Sequence, residues 1–437
     1  MSPLWTLLAA LPNVLSHPPT PTNHVTSAAR PTCTVSHTAG ADDSPAIRAA
    51  VAKCAANATI LFEAGIEYNA FAPVMFTLGQ DVTVDVQGNI TLPSAIAAVQ
   101  AGVIGSFYRS GWFSFTSTGP GVNLVGGAEG GVIRSFGQPW WDSMQQTNRP
   151  NLIAWRVNNG SISNLTISKP IGKSFNIAGN GNFIQNIEID ALSSNAAFPF
   201  NTYASFFDRS RLTIISAVGG DGNMILDSQV SSGDDCIAIG SPCSNLHVRN
   251  LTCTGTHGVS IAAKGGGQVS VFNIVVEDVR FVDSLYAARY KSSVGSVGLA
   301  TNIVYRNIAV ENVTFPVYIT QKCVFYFDQS QAPPPPSNLS VTIDGLSISG
   351  MSGTINSMNP GDGSCISDPC WYFVAGADGS QAIIFDTFYP GSARNISVRD
   401  IAVVPDLAGL QPTVICNATT TPPDVGFKCW DGAYIPQ

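Results

Sequence analysis

From Ile60 onward, apolar and polar positions alternate with a period of two in short runs bounded by Gly and Asn. Examples are Val82-Thr-Val-Asp-Val-Gln and Val122-Asn-Leu-Val. That period belongs to half-buried strands, not helices. A longer period overlies it. The phrases Ile162-Ser-Asn164-Leu-Thr-Ile, Ile184-Gln-Asn186-Ile-Glu-Ile, Val248-Arg-Asn250-Leu-Thr-Cys, Val276-Glu-Asp278-Val-Arg-Phe, Tyr305-Arg-Asn307-Ile-Ala-Val and Val398-Arg-Asp400-Ile-Ala-Val share one form. Each is apolar, polar, Asn or Asp, then alternating apolar. Asn164 to Asn186 is 22 residues, Asn250 to Asp278 is 28 and Asp278 to Asn307 is 29. Repeats of this length without regular helices predict stacked coils, each touching only its neighbours. The Asn or Asp is expected where the backbone turns between strands. The fold expected is all-β, a single-stranded right-handed parallel β-helix. The leucine spacing of leucine-rich repeats, the main rival, is absent.

The ends read differently. Cys33 to Cys54 encloses Asp42-Asp43-Ser44-Pro45 and an amphipathic run, which predicts a helix with Ser44 as N-cap and Pro45 at N1, placed to cap the open end of the solenoid. Residues 1–16 hold a short apolar run without a basic leading segment and read as a signal peptide, and residues 17–32 as a flexible leader rich in Pro, Thr and Ser. Residues 33–437 are then one β-helix domain. Gln331-Ala-Pro-Pro-Pro-Pro-Ser is a surface loop between coils, and Cys416 to Cys429, followed by Trp430, a stapled C-terminal cover.

Composition narrows the classes. Charged residues make up 11%, hydrophobic ones 45%, and there are 41 glycines, which suits a β-rich chain with tight turns and argues against disorder. A formal net charge of −8 argues against a nucleic-acid partner. Ten cysteines and nine Asn-x-Ser/Thr sequons (Asn57, Asn89, Asn159, Asn164, Asn250, Asn312, Asn338, Asn395, Asn417) point to a secreted, extracellular, disulfide-bonded glycoprotein. No stretch after the N-terminal run is long and apolar enough for a membrane span, so neither membrane nor nucleic acid is an expected partner, and a monomer is expected.

The chemistry gathers between Val230 and Lys291. Asp234 and Asp235 are adjacent, and adjacent strand residues face opposite ways, so both reach one cleft only at a strand end or bend, which Gly233 would permit. Alone, the pair reads more readily as an Asp-Asp turn, with or without a structural Ca²⁺, than as a catalytic pair. His257 follows Asp235 by 22 residues, about one coil, with Gly255 and Gly258 leaving room for a ligand. A lone histidine is often structural. Arg289 and Lys291 stand at i and i+2 and share a strand face, where they either grip a carboxylate or form a solvated basic pair. Cys236 and Cys253 flank the stretch and can bridge adjacent rungs. The order and one-coil spacing of the set suit acid-base cleavage of a polyanionic sugar chain.

At these residues the chain resembles glycoside hydrolase family 28, the polygalacturonases and related pectin hydrolases. The family blocks stand as Gly233-Asp234-Asp235-Cys236, Thr256-His257-Gly258 and Arg289-Tyr290-Lys291, and the resemblance covers roughly Cys33 to Trp430. Gly137-Gln-Pro-Trp-Trp-Asp142 and Asp368-Pro-Cys-Trp-Tyr372 resemble the fungal exo-acting branch. The resemblance implies a pectin-lyase-like solenoid and inverting hydrolysis of α-1,4-galacturonosyl bonds in polygalacturonan, a pectic polysaccharide, with no cofactor and no metal. It implies Asp234 as general acid, Asp235 as helper of the attacking water, and His257 as tuner of the acid. Arg289 and Lys291 would bind the galacturonate carboxylate, and Tyr326 would be an aromatic subsite residue. A pectate lyase on the same solenoid and a non-catalytic pectin-binding homologue remain the alternatives.

One block departs from the family. Where Asn-Thr-Asp is expected, the chain reads Asn201-Thr202-Tyr203. Asp208 and Asp221 are the nearby substitutes for a third carboxylate. Tyr203 to Ala217 reads as foreign to the repeat, the product of a retained intron in the gene model or of a natural loop insertion that recruits Asp208. The retained intron is the preferred reading, and with it the chain as written is expected to be impaired. Sequencing the mature transcript tests it; a transcript that keeps the segment and encodes a fully active protein overturns it.

Overall fold

A computed structural model describes residues 30–437, except 104–110, 128–130, 201, 203, 207–219, 264–267, 323–338, 359–361, 363, 365–373 and 388; of 204–206 it describes the backbone alone. The leader and signal-peptide readings, Asp208, Tyr326 and the Asp368–Tyr372 phrase therefore lie outside the described residues, apart from the leader's last positions. From Pro31 onward the chain is one compact unit.

The predicted parallel β-helix is what forms. One sheet runs from Thr32–Thr34 to Ala393–Pro405, and a second from Val74–Leu78 to Thr413–Cys416. Each central coil lends a long strand to the first sheet and a short one to the second. Successive strands pair parallel and in register: Leu165 lies opposite Ile187, Leu251 opposite Val279, and Ile308 opposite Met351. The C-terminal strand Gly432–Ala433 pairs antiparallel with Thr413–Cys416.

The repeating Asn is the corner of the coil. Asn164, Asn186, Asn250, Asp278, Asn307 and Asp400 all adopt the left-handed conformation, with φ between 52° and 56°. They do so inside continuous strands, not in turns between strands as the sequence suggests. One left-handed residue shifts the alternation by one position. Ile162 and Leu165, three apart, therefore both point inward, while Asn164 between them is exposed. Asn and Asp tolerate this conformation better than other non-glycine residues. Their side chains also pair from coil to coil: Asn186 Nδ2 donates to Asn164 Oδ1 at 2.6 Å, and Asn250 Nδ2 to Asp227 Oδ1 at 2.7 Å.

Inside, apolar side chains stack rung on rung. Phe76 lies on Phe115 with centroids 4.4 Å apart, and Phe115 meets Trp155 at 5.1 Å. The helix Ser44–Lys53 buries Ile47, Ala50 and Val51 against this core, and Cys33–Cys54 ties it down. Its N-cap is Asp43, one residue before the expected Ser44. Ser44 lies inside the helix, where its backbone N–H donates to Asp42 Oδ1 and its hydroxyl to Ala72 O. Cys416–Cys429 staples the other end.

Within the segment expected to be foreign, Ala204–Phe206 is a regular rung of the second sheet. It pairs with Phe175–Ile177 on one side and Ile237–Ile239 on the other. The repeat thus continues at least to Phe206; Tyr203 and residues 207–217 lie outside the described residues.

The corner predicts an ordering of variants. Asn186→Val puts a β-branched residue at φ 52° and is expected to lose about 1–3 kcal/mol. Asn186→Gly, which accepts that conformation, loses less. Urea midpoints check this, and equal losses would contradict the corner role.

Candidate active site

Asp234 and Asp235 lie in the bend between the strands Met224–Ser231 and Ile237–Ile239, where alternation no longer separates them. Gly233 has no left-handed φ to supply. A Cβ there would stand 2.6 Å from Pro199 Cγ, so glycine is required by the close approach of Pro199. Ile237 pairs with Val259, an offset that puts His257 level with Asp235 on the next rung. The disulfide Cys236–Cys253 links these coils, and the amide of His257 donates to Asp234 O at 2.8 Å. Gly258, at φ 78°, would bring a Cβ within 2.4 Å of Ala287 O. It makes room for the neighbouring rung, not for a ligand.

The next step, Ser260 opposite Arg289 and Ala262 opposite Lys291, brings both cations beneath the acid pair. They are not a solvated pair: Arg289 is 1% exposed and Lys291 6%. Both contact Asp235. Lys291 Nζ donates to Oδ2 at 2.7 Å and Arg289 Nη1 to Oδ1 at 3.2 Å, and the Ser260 hydroxyl also donates to Oδ1. The Arg289 guanidinium lies 4.1 Å above the Tyr286 ring. In this structure the two cations meet a carboxylate of the protein itself.

Asp234 faces the other way and is more open, its side chain 15% exposed against 3% for Asp235. Its Oδ1 accepts from the Asp235 amide at 2.7 Å and lies 3.4 Å from His257 Nδ1. On the far side of the ring, Nε2 donates to Asp362 Oδ2 at 2.6 Å. The imidazole is stacked on Phe198, with centroids 5.9 Å apart, and meets Tyr286 edge-on at 6.0 Å.

Burial opposes a charged ring, but Asp362 and then Asp234 outweigh it and push His257 up to about 9. Burial would raise Asp234, yet its bond to His257, the ring's charge and Lys291 hold it well below the ordinary carboxylate value. Burial likewise opposes the Asp362 carboxylate, and His257 and Ser364 outweigh it and lower its value. By linkage, the stability from His257 is complete below its ordinary 6.5 and lost as pH rises through about 9. That from the two carboxylates is present above their ordinary 3.8 and lost as pH falls through the lowered values.

Asp234, Asp235 and His257 bring ligand-type atoms within 4.8 Å of one another. Lys291 and Arg289 already neutralise Asp235, and both ring nitrogens of His257 face carboxylates. The arrangement suits moving a proton better than holding a divalent ion.

Asp221 is not brought to the pair. It stands beyond the opposite end of the strand Met224–Ser231, whose eight residues span on the order of 25 Å. Its carboxylate accepts there from Ser244 and Asn245. The rung before the pair presents Thr202, buried, whose Oγ1 accepts from Gly233 N at 3.3 Å. Sequence reasoning missed Ser260, Phe198 and Asp362. Ser260 was readable from the one-coil offset, but Asp362 lies 105 residues from His257 with no period to reveal it. In the Gly137–Asp142 phrase, Trp140 and Trp141 are buried, while Gln138 and Asp142 bond to Asn195.

This fold and site find relatives. Residues 66–370 match the model of glycosyl hydrolases family 28. The chain is 38% identical over 414 residues to a protein named probable exopolygalacturonase C of Aspergillus fumigatus, covering 91% of this chain and 90% of that one. A protein of the same name from Aspergillus niger is 38% identical over 414 residues, covering 91% and 89%. Among solved structures, the endo-xylogalacturonan hydrolase of Aspergillus tubingensis superposes with a TM-score of 0.69 at 22% identity, covering 92% of this chain and 99% of that one. The chain belongs to glycosyl hydrolases family 28.

The buried pair makes a prediction. Lys291→Met should destabilise the fold by about 3–5 kcal/mol, the range for stranding a buried charge, reduced by as much as Arg289 compensates. Adding Asp235→Asn should recover part of the loss. Denaturant unfolding of the singles and the double checks it; a loss below about 1 kcal/mol for Lys291→Met would mean the pair is not desolvated.

Proposed function

We propose that the protein is an extracellular, monomeric hydrolase that cleaves α-1,4-galacturonosyl bonds of polygalacturonan from a chain end, with inversion. The observation that carries the reading is the placement of Asp234, His257 and the Asp235–Arg289–Lys291 cluster on successive rungs of a family 28 solenoid. The relatives' names favour exo action. Among the described residues no helix is long and apolar enough to cross a membrane.

Asp234, at the mouth, is the acid that protonates the leaving oxygen. Asp235 is the carboxylate for the water. Its Oδ2 accepts from Lys291, and a carboxylate oxygen has two lone pairs, so a water can share it. The glycosidic C–O bond breaks as the water oxygen bonds to the same carbon from the opposite face, and the water proton passes to Asp235. Arg289 and Lys291 exceed Asp235 by one positive charge, and that surplus is the attraction for a galacturonate carboxylate. Counting Asp234, Asp235 and Asp362 against His257, Arg289 and Lys291, the site is neutral. A bound galacturonate adds one negative charge, which favours proton uptake by Asp234 as the acid is needed.

Defined oligogalacturonides test the reading. Short products released from one end, with an inverted anomer by NMR and no unsaturated sugar, are expected. Asp234→Asn should lose about 10²–10⁴-fold in rate while staying folded. A UV-absorbing unsaturated product would make the protein a lyase, and binding without new reducing ends a non-catalytic homologue.

A further inference from the structure

His257 is held by carboxylates on both sides, and only one belongs to the acid pair. Asp362 lies in the segment after the strand Thr342–Ile355. Its Oδ2 accepts from His257 Nε2 at 2.6 Å, and its Oδ1 accepts from the Ser364 amide at 2.9 Å and the Ser364 hydroxyl at 2.5 Å. Both oxygens are thus engaged, and Oδ2 is aimed at the ring. Farther along, Val374 and Ala377 pack on Tyr286, Phe315, Tyr318 and Ile384 outside the second sheet.

The ring's chemistry gives this contact a consequence. A neutral imidazole carries one N–H, on either nitrogen. If the hydrogen sits on Nδ1, it faces an ionised Asp234, and a neutral N–H is far too weak an acid to deliver a proton. An acceptor fixed on Nε2 forbids that tautomer. The hydrogen on Nε2 is then permanent, and the contact between Nδ1 and Asp234 holds a second proton that either group can carry. In both arrangements it can reach the leaving oxygen. The groups facing the ring are Asp234, Asp362 and Tyr286, with Lys291, Asp235 and Arg289 one step behind.

We propose that Asp362 is a positioning residue for the reaction, which by accepting the Nε2 hydrogen of His257 keeps a deliverable proton on the Asp234–His257 pair. This rests on Asp234 being the acid. As the glycosidic bond breaks, the pair gives its proton to the leaving oxygen, Asp235 takes one from the attacking water, and solvent exchange restores both.

The test is Asp362→Asn, read two ways in the whole protein. The alkaline limb of kcat/KM against pH should move acidward by a unit or more, about a tenfold loss on that side. The NMR titration of His257 should move down from about 9 in parallel, and Asp362→Glu should restore part of both. If Asp362→Asn does not fold, Ser364→Ala, which loosens Asp362 without removing its charge, should give a smaller shift in the same direction. An active wild type whose alkaline limb and His257 titration ignore these substitutions, or a loss uniform at all pH, overturns the proposal. No product from the wild type at any pH would instead overturn the hydrolytic reading, and the His257 titration would still report whether Asp362 holds the ring.

Discussion

Everything in this molecule depends on coils hydrogen-bonding in register. Parallel strands stack about 4.8 Å apart, so residues one coil apart become neighbours whatever their distance along the chain. Asp235, Ser260, Arg289 and Lys291 meet this way, although Lys291 is 56 residues from Asp235. The register is protected by the left-handed Asn and Asp corners, which fix where each strand changes face and stack their side chains from coil to coil. A slip of one residue would turn the core outward and part the acid pair from its partners.

Stacking also explains what was legible in the sequence. Because level on the solenoid is a matter of spacing, the Asn phrases and the one-coil distances among Asp235, His257 and the Arg289–Lys291 pair were readable from the order of residues. Spacing says nothing of the partner a side chain selects. The two cations looked available to a ligand, and in the fold they meet Asp235. Asp221 lay close in sequence but at the wrong end of its strand. Gly233 and Gly258 looked like freedom or space for a ligand, and both answer to neighbouring atoms of the protein. Asp362 was invisible because it lies between the strands Thr342–Ile355 and Gln381–Asp386, and chain outside the strands has no register to count.

The site's electrostatics follow from burial. A lone carboxylate at the position of Asp235 would be costly to desolvate. Two cations and a hydroxyl offset that cost, and the ring of His257 is likewise flanked by opposite charge. Such a cluster resists change at any single member, since removing one strands another. It is also where a small change in charge is felt most, because water is largely excluded and screening is weak.

The rung before the acid pair sharpens the point. Family resemblance leads one to expect a carboxylate at position 203, where Tyr203 lies outside the described residues; its neighbour Thr202 accepts from Gly233 N and adds no charge. A third carboxylate beside Asp234 and Asp235 on that rung, with Asp362 also present, would leave the cluster one negative charge in excess in a buried place. Among the described residues, Asp234, Asp235 and Asp362 face His257, Arg289 and Lys291, three carboxylates against three cations, and Asp362 holds the far side of the ring. Within this balance the place of Asp235 is fixed from three sides, by Lys291, Arg289 and Ser260.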